Sequence, residues 1–329
     1  MELFELIQTL NRAHGPSGDE GEIREVIRAL AEPYADEITA DTMGSLIVHR
    51  RGKGPKLLLA AHMDSIGFVV THIEKEGFLR VGRLGGVSPK EAAYTPVRFK
   101  SGLRGVFAPE EKADFGKLKL DECFLDIGAG DEAAAKQLVQ VVYDAPAFRT
   151  GDLVVSPYLD DRISCAVLLS ALERIGECLN DLYLVFTAQE EVGLRGARTA
   201  AWSIAPDYAV AVDVTDVDDT PGSERAGTAR LGRGAAVKVM DSSVICHPAM
   251  VALLEDTARE GDIPVQRDIM RAGGTDAGAI HLTRTGVITG GISVPCRYIH
   301  TPAETASLSD ADACVRLAAA LAQRPLEQP

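Results

Sequence analysis

Three short apolar runs set the strongest limit on how this chain can fold. They are KLLLAA at residues 56–61, LYLVF at 182–186 and YAVAV at 208–212. Strands that are apolar on both faces are typical of sheets covered by helices on both sides. Helical periodicity appears between these runs, in ISCAVLLSALERI and GARTAAW. This alternation predicts an α/β fold with a largely parallel or mixed sheet.

The segment from residue 67 to residue 153 has a different character. Short strand-like pieces, such as FVVTHIEKEG and YTPVRFKSG, alternate there with glycine, proline and charged residues. The chain has 329 residues, a length that allows more than one domain. We therefore expect residues 1–66 plus 154–329 to form the α/β domain. Residues 67–153 are expected to form a small inserted β-rich domain.

A helix is expected close to the N terminus. Apolar residues from Ile23 to Leu30 recur at helical spacing along one face. Ser17 and Glu20 stand before them at the spacing of a capping box. We therefore expect these two side chains to cap the helix.

The net charge limits the classes of partner, and the first residues indicate a location. Asp and Glu number 48 against 34 Lys and Arg, for a net charge of -14. Such a chain repels polyanions and anionic surfaces, so we expect neither nucleic acid nor a membrane as a partner. MELFELIQTLNRAHG lacks the regions of a signal peptide, which favours a cytoplasmic location. The six cysteines are widely spaced, and we expect reduced thiols.

Histidines and carboxylates directly follow the predicted strands. In an open α/β sheet, ligands and catalytic groups gather beyond the carboxyl ends of the strands. Polar residues that are far apart in the sequence can therefore meet in one crevice. The residues at such positions, together with the pair in YLDDR, are His62, Asp64, Asp160, Asp161, Glu190, Glu191, Asp213, Arg297 and His300.

This group of side chains indicates a metal site without thiolate ligands. A mixture of imidazole and carboxylate suits zinc, cobalt or manganese. Several carboxylates a few ångströms apart cannot all ionise unless a cation is present. Two metals can each take one histidine and one carboxylate and share a bridging carboxylate. The five candidate ligands are His62, Asp160, Glu191, Asp213 and His300.

Simpler interpretations of the same residues stay open at this point. Glu190 and Glu191 could lie in a solvated loop or at the acidic start of a helix. Asp160 and Asp161 could cap the helix that follows them. His300 could be a turn residue before Pro302. The residues GAGDEA at 128–133 match a dinucleotide fingerprint, but no complete βαβ unit follows them, so we do not expect a dinucleotide.

Seven motifs occur in an order that resembles one enzyme family. They are AHMDSIG, YLDDR, TAQEEVGLRGA, VDVTDVDDTPG, LGRGAAVKV, GGTDAGAI and ISVPCRYIHTPAET. Their order and spacing are similar to those of the tetrahedral (TET) metalloaminopeptidases, the glutamyl-aminopeptidase-like family, some members of which have been labelled endoglucanases. The similarity extends over nearly the whole chain. Two positions depart from the family's usual residues: Ser65 replaces the more frequent Glu, and Ser45 the more frequent Asn.

The resemblance implies a role for each strand-end residue. His62 and Asp213 would bind one metal ion, Glu191 and His300 the other, and Asp160 both. Glu190 would be the general base, moving the proton of the attacking water. Asp64 would lie behind His62 and accept the other imidazole N–H. We also expect Thr275 and Asp276, in GGTDAGAI, to lie near the substrate.

The resemblance also implies an architecture and an activity. The fold would be a phosphorylase/hydrolase-like mixed-sheet α/β catalytic domain with an inserted PDZ- or barrel-like dimerisation domain. The expected enzyme is a homododecameric aminopeptidase that uses two divalent ions, zinc or cobalt, to act on short peptides. A glycoside hydrolase with paired carboxylates is the alternative. A dinucleotide-binding module and a catalytically silent assembly protein are the remaining hypotheses.

Overall fold

The structure is a computed structural model that describes residues 1–128, 139–223 and 227–329. GAGDEA lies outside the described residues except for Gly128. The helices are α1 (Leu3–Arg12), α2 (Gly21–Ala31), α3 (Pro89–Ala92), α4 (Leu159–Arg174), α5 (Arg195–Ile204), α6 (Pro248–Glu260), α7 (Ala277–Ile280) and α8 (Leu308–Gln323). Short 3-10 helices lie at Glu32–Tyr34, Phe115–Lys117 and Leu120–Glu122.

The strands fall into two groups along the chain. The first strands are β1 (Glu37–Ala40), β2 (Leu46–Arg50), β3 (Lys56–His62), β4 (Gly67–Ile73), β5 (Leu79–Leu84), β6 (Thr95–Phe99), β7 (Arg104–Pro109), β8 (Cys123–Asp126) and β9 (Gln140–Tyr143). The later strands are β10 (Phe148–Thr150), β11 (Leu153–Ser156), β12 (Asp181–Thr187), β13 (Tyr208–Asp216), β14 (Ala235–Met240), β15 (Val265–Ile269), β16 (Ile288–Arg297) and β17 (Glu304–Ser307).

The larger group of strands forms a mixed sheet. Its order is β1-β2-β12-β3-β13-β16-β17-β11-β10, and β14 pairs with both β15 and β16. The central strands β12, β3, β13 and β16 are parallel to their neighbours in this group, whereas β2 and β17 join them antiparallel. The prediction of a mixed α/β sheet is confirmed.

Helices cover both faces of this sheet, as the apolar strands require. Leu57, Leu59 and Ala61 of β3 pack in the core that contains α1, α2, α4 and α8. Leu58 and Ala60 point to the opposite face and pack with α5 and α7. Side chains alternate between the two faces of a strand, so an uninterrupted apolar run buries both faces.

The smaller group of strands forms a closed barrel. Its order is β4-β5-β8-β7-β6-β9, and the pairs are antiparallel. The barrel has its own core, which includes Phe68, Val97, Phe107 and Leu125. The expected β-rich insert is therefore a six-stranded barrel. The boundaries 67–153 stay a prediction, and Phe148–Thr150 within that range pairs with β11 of the large sheet.

The predicted N-terminal helix is present, but the predicted capping box is wrong. Helix α2 begins at Gly21, and no side chain caps its first turn. Ser17 Oγ instead donates a hydrogen bond to Asp64 Oδ2 at 2.6 Å. The carboxylate of Glu20 accepts the backbone N–H groups of Gly18 and Gln189. Asp64 and Glu20 are buried carboxylates, and hydrogen bonds to a charged acceptor are stronger than those between neutral groups.

Two further expectations concern the thiols and the membrane. All six cysteines are free, and only Cys178 is not buried. This agrees with the prediction of reduced thiols. None of the helices in the described ranges combines the length and the hydropathy that crossing a membrane requires.

A buried arginine joins the N-terminal segment to the sheet. Arg162, at the start of α4, is 1% exposed. Its guanidinium donates to the carbonyl oxygens of Leu10 (2.7 Å), Ala13 (3.3 Å), Gly15 (3.2 Å) and Met63 (2.9 Å). These bonds satisfy the end of α1 and the residue that follows β3. Burial lowers the pKa of Arg162 from its ordinary value, although the group keeps its donors.

We expect Arg162→Met to destabilise the protein. The substitution keeps apolar volume but removes the side-chain donor to Ala13 and Met63, while Leu10 and Gly15 keep backbone donors. Two buried carbonyl groups without a donor should cost about 2–5 kcal/mol of unfolding free energy. Urea unfolding at fixed protein concentration measures the change. Arg316→Met is the control, because Arg316 donates to the carbonyl groups of Gly261 and Asp262 at the surface. Equal stability losses in the two variants would contradict the role of the buried bonds.

Candidate metal centre

The predicted strand-end residues meet at the carboxyl edge of the central parallel strands. His62 ends β3 and lies opposite Thr187, which ends β12. Glu190 and Glu191 follow β12, and Asp213 lies near the end of β13. His300 comes three residues after the end of β16. The parallel register therefore brings together residues that are up to 238 positions apart in the chain.

Asp160 lies between the two histidines. Its Oδ1 is 2.9 Å from His62 Nε2, and its Oδ2 is 3.2 Å from His300 Nε2. Glu191 Oε2 is 3.2 Å from His300 Nε2. Asp213 Oδ1 is 4.0 Å from His62 Nε2. Each oxygen of Asp160 thus faces a different imidazole, and a second carboxylate lies beside each imidazole.

The donor atoms of these residues fit divalent metal ions. One atom each from His62, Asp160 and Glu191 lie within 4.8 Å of one another, and so do atoms of His62, Asp161 and Asp213. Glu191 Oε1 is buried and has no hydrogen-bond partner. Imidazole nitrogen and carboxylate oxygen are the ligands found in catalytic zinc sites. The group therefore fits a cation better than it fits a solvated loop.

The pKa shifts of the side chains indicate that the cluster favours added positive charge. Burial raises the pKa of Glu190 well above its usual range; the charge of His62 opposes this, and that of Asp213 adds to it. Burial likewise raises the pKa of Asp213. Burial disfavours the charged form of His300, but hydrogen bonds to Asp160 and Glu191 outweigh it and raise its pKa to about 12. Positively charged imidazoles compensate the clustered carboxylates here, as a bound metal ion would.

Asp64 fastens the loop that carries Glu190 and Glu191. Its Oδ1 accepts the N–H of Glu190 (2.9 Å), and its Oδ2 accepts the N–H of Glu191 (3.3 Å) and the hydroxyl of Ser17. His62 Nδ1 is 3.2 Å from the backbone oxygen of Asp64 and 3.6 Å from Oδ1. Asp64 is thus placed behind His62. Its role in orienting the imidazole stays a prediction.

Glu304 is a supporting residue that sequence reasoning missed. It is 1% exposed. Its Oε2 accepts the N–H of Asp160 and its Oε1 the N–H of His300, both at 2.8 Å. One carboxylate thereby fixes the backbone of two predicted ligands. The signal in the sequence was its position, four residues after His300 in IHTPAET.

Glu20 and the barrel also support the centre. Glu20 Oε1 accepts the N–H of Gln189 at 3.2 Å, next to Glu190. Gly86, just after β5, leaves space for the side chain of His300, a predicted metal ligand. A Cβ at residue 86 would lie 2.4 Å from His300 Nδ1. The sequence RLGG does not predict this contact, because only the folded structure shows that His300 approaches Gly86.

Several other candidates have partners away from the five ligands. Arg297 pairs with Asp219 at 2.6 Å. Thr275 Oγ1 donates to Asp241 Oδ2 at 3.2 Å. Thr187 donates to Asp276. Thr275 and Asp276 are buried and do not line the pocket at the centre. Their contact with substrate stays a prediction.

Asp161 faces the strand instead of the helix. Its Oδ2 accepts the backbone N–H of His62 at 3.2 Å. Neither Asp160 nor Asp161 caps α4, since no side-chain cap hydrogen bond is present and both residues have non-helical backbone angles. The N-cap interpretation is therefore wrong. The two carboxylates instead lie at the edge of the sheet, where they act as acceptors for buried N–H and imidazole groups.

The two departures from the family pattern both make backbone contacts. Ser45 Oγ accepts the N–H of Ala188 at 3.2 Å, just before the Glu190 loop. Ser65 Oγ donates to the carbonyl of Gly15 at 3.3 Å. Both side chains are buried, so they influence packing beside the centre.

A cavity of about 550 Å³ opens onto the cluster. Its walls come from the ends of β3 and β13, the start of α4 and the loops after β5, β12, β15 and β16. The lining residues are His62, Gly86, Asp160, Glu190, Glu191, Gly193, Leu194, Asp213, Val214, Asp216, Met270, Ala272, Gly273, Gly274, Ile299 and His300. A groove of about 730 Å³ beside α1 and α8 is larger but contains none of the predicted ligands. The cavity at the cluster is the candidate active site.

Comparison with known proteins gives one family. A sequence model described as M42 glutamyl aminopeptidase matches residues 44–317. A relative from Pyrococcus furiosus named lysyl aminopeptidase is 35% identical over 97% of this chain and 96% of its own length. A relative from Lactococcus lactis named glutamyl aminopeptidase is 31% identical over 92% of this chain and 90% of its own length.

Solved structures agree with this match. An aminopeptidase from Desulfurococcus kamchatkensis has a TM-score of 0.93 and 37% identity, covering 98% of this chain and 94% of its own. A Pyrococcus horikoshii TET1 peptidase, titled as assembling into a tetrahedron or a large octahedral shell, has a TM-score of 0.88 and 29% identity, covering 97% and 99%. A Thermotoga maritima structure titled endoglucanase has a TM-score of 0.82 and 31% identity, covering 96% of both chains.

We expect Glu304→Gln to weaken metal binding although Glu304 is not a predicted ligand. The amide removes the charge and one acceptor that hold Asp160 and His300, and loss of such support typically lowers metal affinity by about 10–100-fold. Titration of the chelated protein with cobalt or zinc by calorimetry measures the affinity.

Two controls accompany this titration. Glu177→Gln removes an exposed carboxylate at the far end of α4 and should leave the affinity unchanged. Thermal unfolding of the metal-free Glu304→Gln protein separates a folding defect from a defect of the centre. Metal affinity equal to that of the unchanged protein would contradict the supporting role of Glu304.

Proposed function

The chain belongs to the M42 glutamyl aminopeptidase family, and on that premise we propose that it is a dinuclear metal-dependent aminopeptidase. It removes N-terminal residues from short peptides. The observation that carries the proposal is the position of Asp160 between His62 and His300, with one oxygen toward each imidazole. A carboxylate in that position can bridge two ions.

The proposed ligand assignment is the one that the resemblance to the family implies, and the carboxylates beside each imidazole support it. His62 and Asp213 would hold one ion, Glu191 and His300 would hold the other, and Asp160 would contribute to both sites. Zinc or cobalt suits this set of nitrogen and oxygen donors. Asp161 also lies near His62, where its Oδ2 accepts the backbone N–H of His62, and the resemblance to the family assigns it no metal.

Glu190 is proposed as the general base. When bound, the ions supply Lewis acidity to the scissile carbonyl and to the attacking water. Glu190 Oε2 lies 3.9 Å from His62 Nε2 and borders the cavity, so it faces the space where water and substrate meet. Its carboxylate takes the proton of the water and returns it to the leaving amine. Its backbone N–H is held by Asp64, which keeps the loop in place.

A raised pKa suits Glu190 for this exchange. Burial and neighbouring carboxylates favour its neutral form. A general base works best when its pKa lies near the working pH, because it must both accept and release the proton. Glu191, the next residue, faces His300 instead. The adjacent acids therefore point to different partners and take different tasks.

The glycosidase alternative has less support from the site. The Thermotoga maritima structure titled endoglucanase shares the fold, so its label concerns that protein. No phenylalanine, tyrosine or tryptophan is among the described residues that line the cavity. The single tryptophan, Trp202, borders a different groove with Arg198 and Leu282. Hydrolysis of a cellulosic substrate that survives chelation would favour a glycosidase.

Substitutions of the adjacent glutamates test the mechanism. We expect Glu190→Gln to retain both ions and lose about 10²–10⁴-fold in kcat, because the amide cannot accept the proton. Glu191→Ala should lose metal together with activity. The measurements are metal content and turnover of aminoacyl-nitroanilides by the cobalt- or zinc-loaded enzyme.

Glu177→Gln serves as the matched control and should behave like the unchanged enzyme. Loss of metal in Glu190→Gln with retention in Glu191→Ala would reverse the assignment of the pair. Absence of turnover of any aminoacyl substrate, with metal bound, would refute the aminopeptidase proposal.

We further propose that the chain assembles through its barrel, as dimers that build a homododecamer. The Pyrococcus horikoshii relative is titled as a tetrahedron or octahedral shell. The barrel exposes large apolar side chains, which mark association surfaces. They are Tyr94 (67% exposed), Leu103, Val106 and Phe115. A hollow assembly would restrict access to short peptides; a cytoplasmic location stays a prediction.

Charges placed on this surface should disrupt the assembly. We expect Tyr94→Asp combined with Phe115→Glu to give a smaller species than the unchanged protein in light scattering, since burying an unpaired charge at an interface is unfavourable. Thr71→Asp, an exposed polar position on the same barrel, is the control. A monomeric unchanged protein would remove the assembly proposal and leave the metal centre unaffected.

A further inference from the structure

The cavity at the metal centre is rich in negative charge. Its described lining residues include five carboxylates and no lysine or arginine. Four of these acids are the predicted ligands Asp160, Glu191 and Asp213 and the predicted base Glu190. Two divalent ions would balance those four. The remaining acid, Asp216, then carries the unbalanced charge of the cavity.

Asp216 differs from Asp218 and Asp219, the acidic residues of the loop that follows it. Asp218 Oδ2 accepts the N–H of Gly227 at 2.8 Å. Asp219 pairs with Arg297. Asp216 ends β13, is exposed, and has no cationic partner among the described residues. Its carboxylate is therefore available to a ligand in the cavity.

The wall near Asp216 is apolar. Val214 precedes it on β13, and Met270, Ala272 and Ile299 also line the cavity. The hydroxyl of Thr215 contacts Met270 Sδ at 3.6 Å, which places the methionine beside the end of β13. This part of the cavity therefore combines hydrocarbon surface with one carboxylate at the end of β13.

We propose that Asp216 makes this cavity select peptides whose N-terminal side chain is long and cationic, that is, lysine or arginine. This inference rests on the proposed aminopeptidase function and names its substrate class. The methylene groups of such a side chain pack on apolar residues while the charged end seeks an acidic partner. The enzyme is then a basic aminopeptidase and not a glutamyl aminopeptidase.

An N-terminal acidic residue lacks a partner in the same cavity. The side chain of Arg297 is occupied by Asp219. Arg271 lies on the loop between Met270 and Ala272, but it does not line the cavity. A glutamate side chain would meet Asp216 without a compensating cation, and like charges in proximity repel.

Rates with a set of N-terminal residues test the proposal. The probes are lysyl-, arginyl-, leucyl- and glutamyl-nitroanilides with the metal-loaded enzyme. We expect a higher kcat/KM for the lysyl and arginyl substrates than for the glutamyl one. Asp216→Asn should lower kcat/KM for the lysyl substrate by about three- to fivefold, the range for a solvent-accessible ion pair, and leave the leucyl substrate unchanged.

Charge reversal gives a stronger test. Asp216→Lys should change the ratio of lysyl to glutamyl kcat/KM by about 30-fold in favour of glutamyl, because one pair is lost and another is formed. Glu177→Gln is the control for loss of one negative charge. It is exposed and lies three residues beyond the C-terminal end of α4, whereas Asp160 lies at the start of that helix.

Binding provides a readout that does not need turnover. In the metal-loaded Glu190→Gln protein, calorimetry should show tighter binding of Lys-Ala than of Glu-Ala, and Asp216→Asn added to this protein should reduce the difference. Equal effects of Asp216→Asn on lysyl and leucyl substrates would overturn the inference and leave the aminopeptidase function intact. A glutamyl preference abolished by Arg271→Gln would also overturn it. If no substrate were turned over, the proposed function would fail, and the calorimetry would still decide the role of Asp216.

Discussion

The concentration of carboxylates at one edge of the sheet is the constraint on which the rest of the structure depends. Asp64, Asp160, Asp161, Asp213 and Glu304 are all buried there. An ionised carboxylate taken out of water costs several kcal/mol unless donors or cations compensate it. The chain supplies compensation through the imidazoles of His62 and His300 and through backbone N–H groups. The donor geometry leaves room for cations to supply the rest.

Two of these buried acids hold neighbouring residues of the centre in place. Asp64 accepts the N–H groups of Glu190 and Glu191, and Glu304 accepts those of Asp160 and His300. Each acid therefore holds two of the proposed ligand or catalytic residues through the backbone, which leaves the side chains of those residues free to take the proposed roles. Such outer contacts set the precision of a metal centre as much as the ligands do.

The barrel and the α/β domain meet at the same centre. Gly86, after the second barrel strand, lies against the ring of His300, while the helices on both sheet faces keep the parallel strands in register. The cavity consequently has a metal-binding side formed by strand ends and an apolar side formed by Val214, Met270 and Ile299. We propose that hydrolysis takes place at the first side and that the second side, with Asp216, selects the N-terminal residue.

The sequence by itself determined the fold class and the collection of candidate ligands. Apolar runs such as KLLLAA demand burial on both faces, and parallel strands of that kind bring their carboxyl ends to one edge. His62, Asp160, Glu191, Asp213 and His300 could therefore be grouped before any coordinates. Only the tertiary structure decided the contacts of Ser17, Glu20 and Glu304 and the position of Asp216 in the cavity wall. Capping-box spacing misassigned Ser17 and Glu20, because local patterns do not show which distant N–H group or carboxylate a side chain reaches after folding. Hydrogen bonds across 47 to 169 residues depend on packing, and no periodicity in the sequence records them.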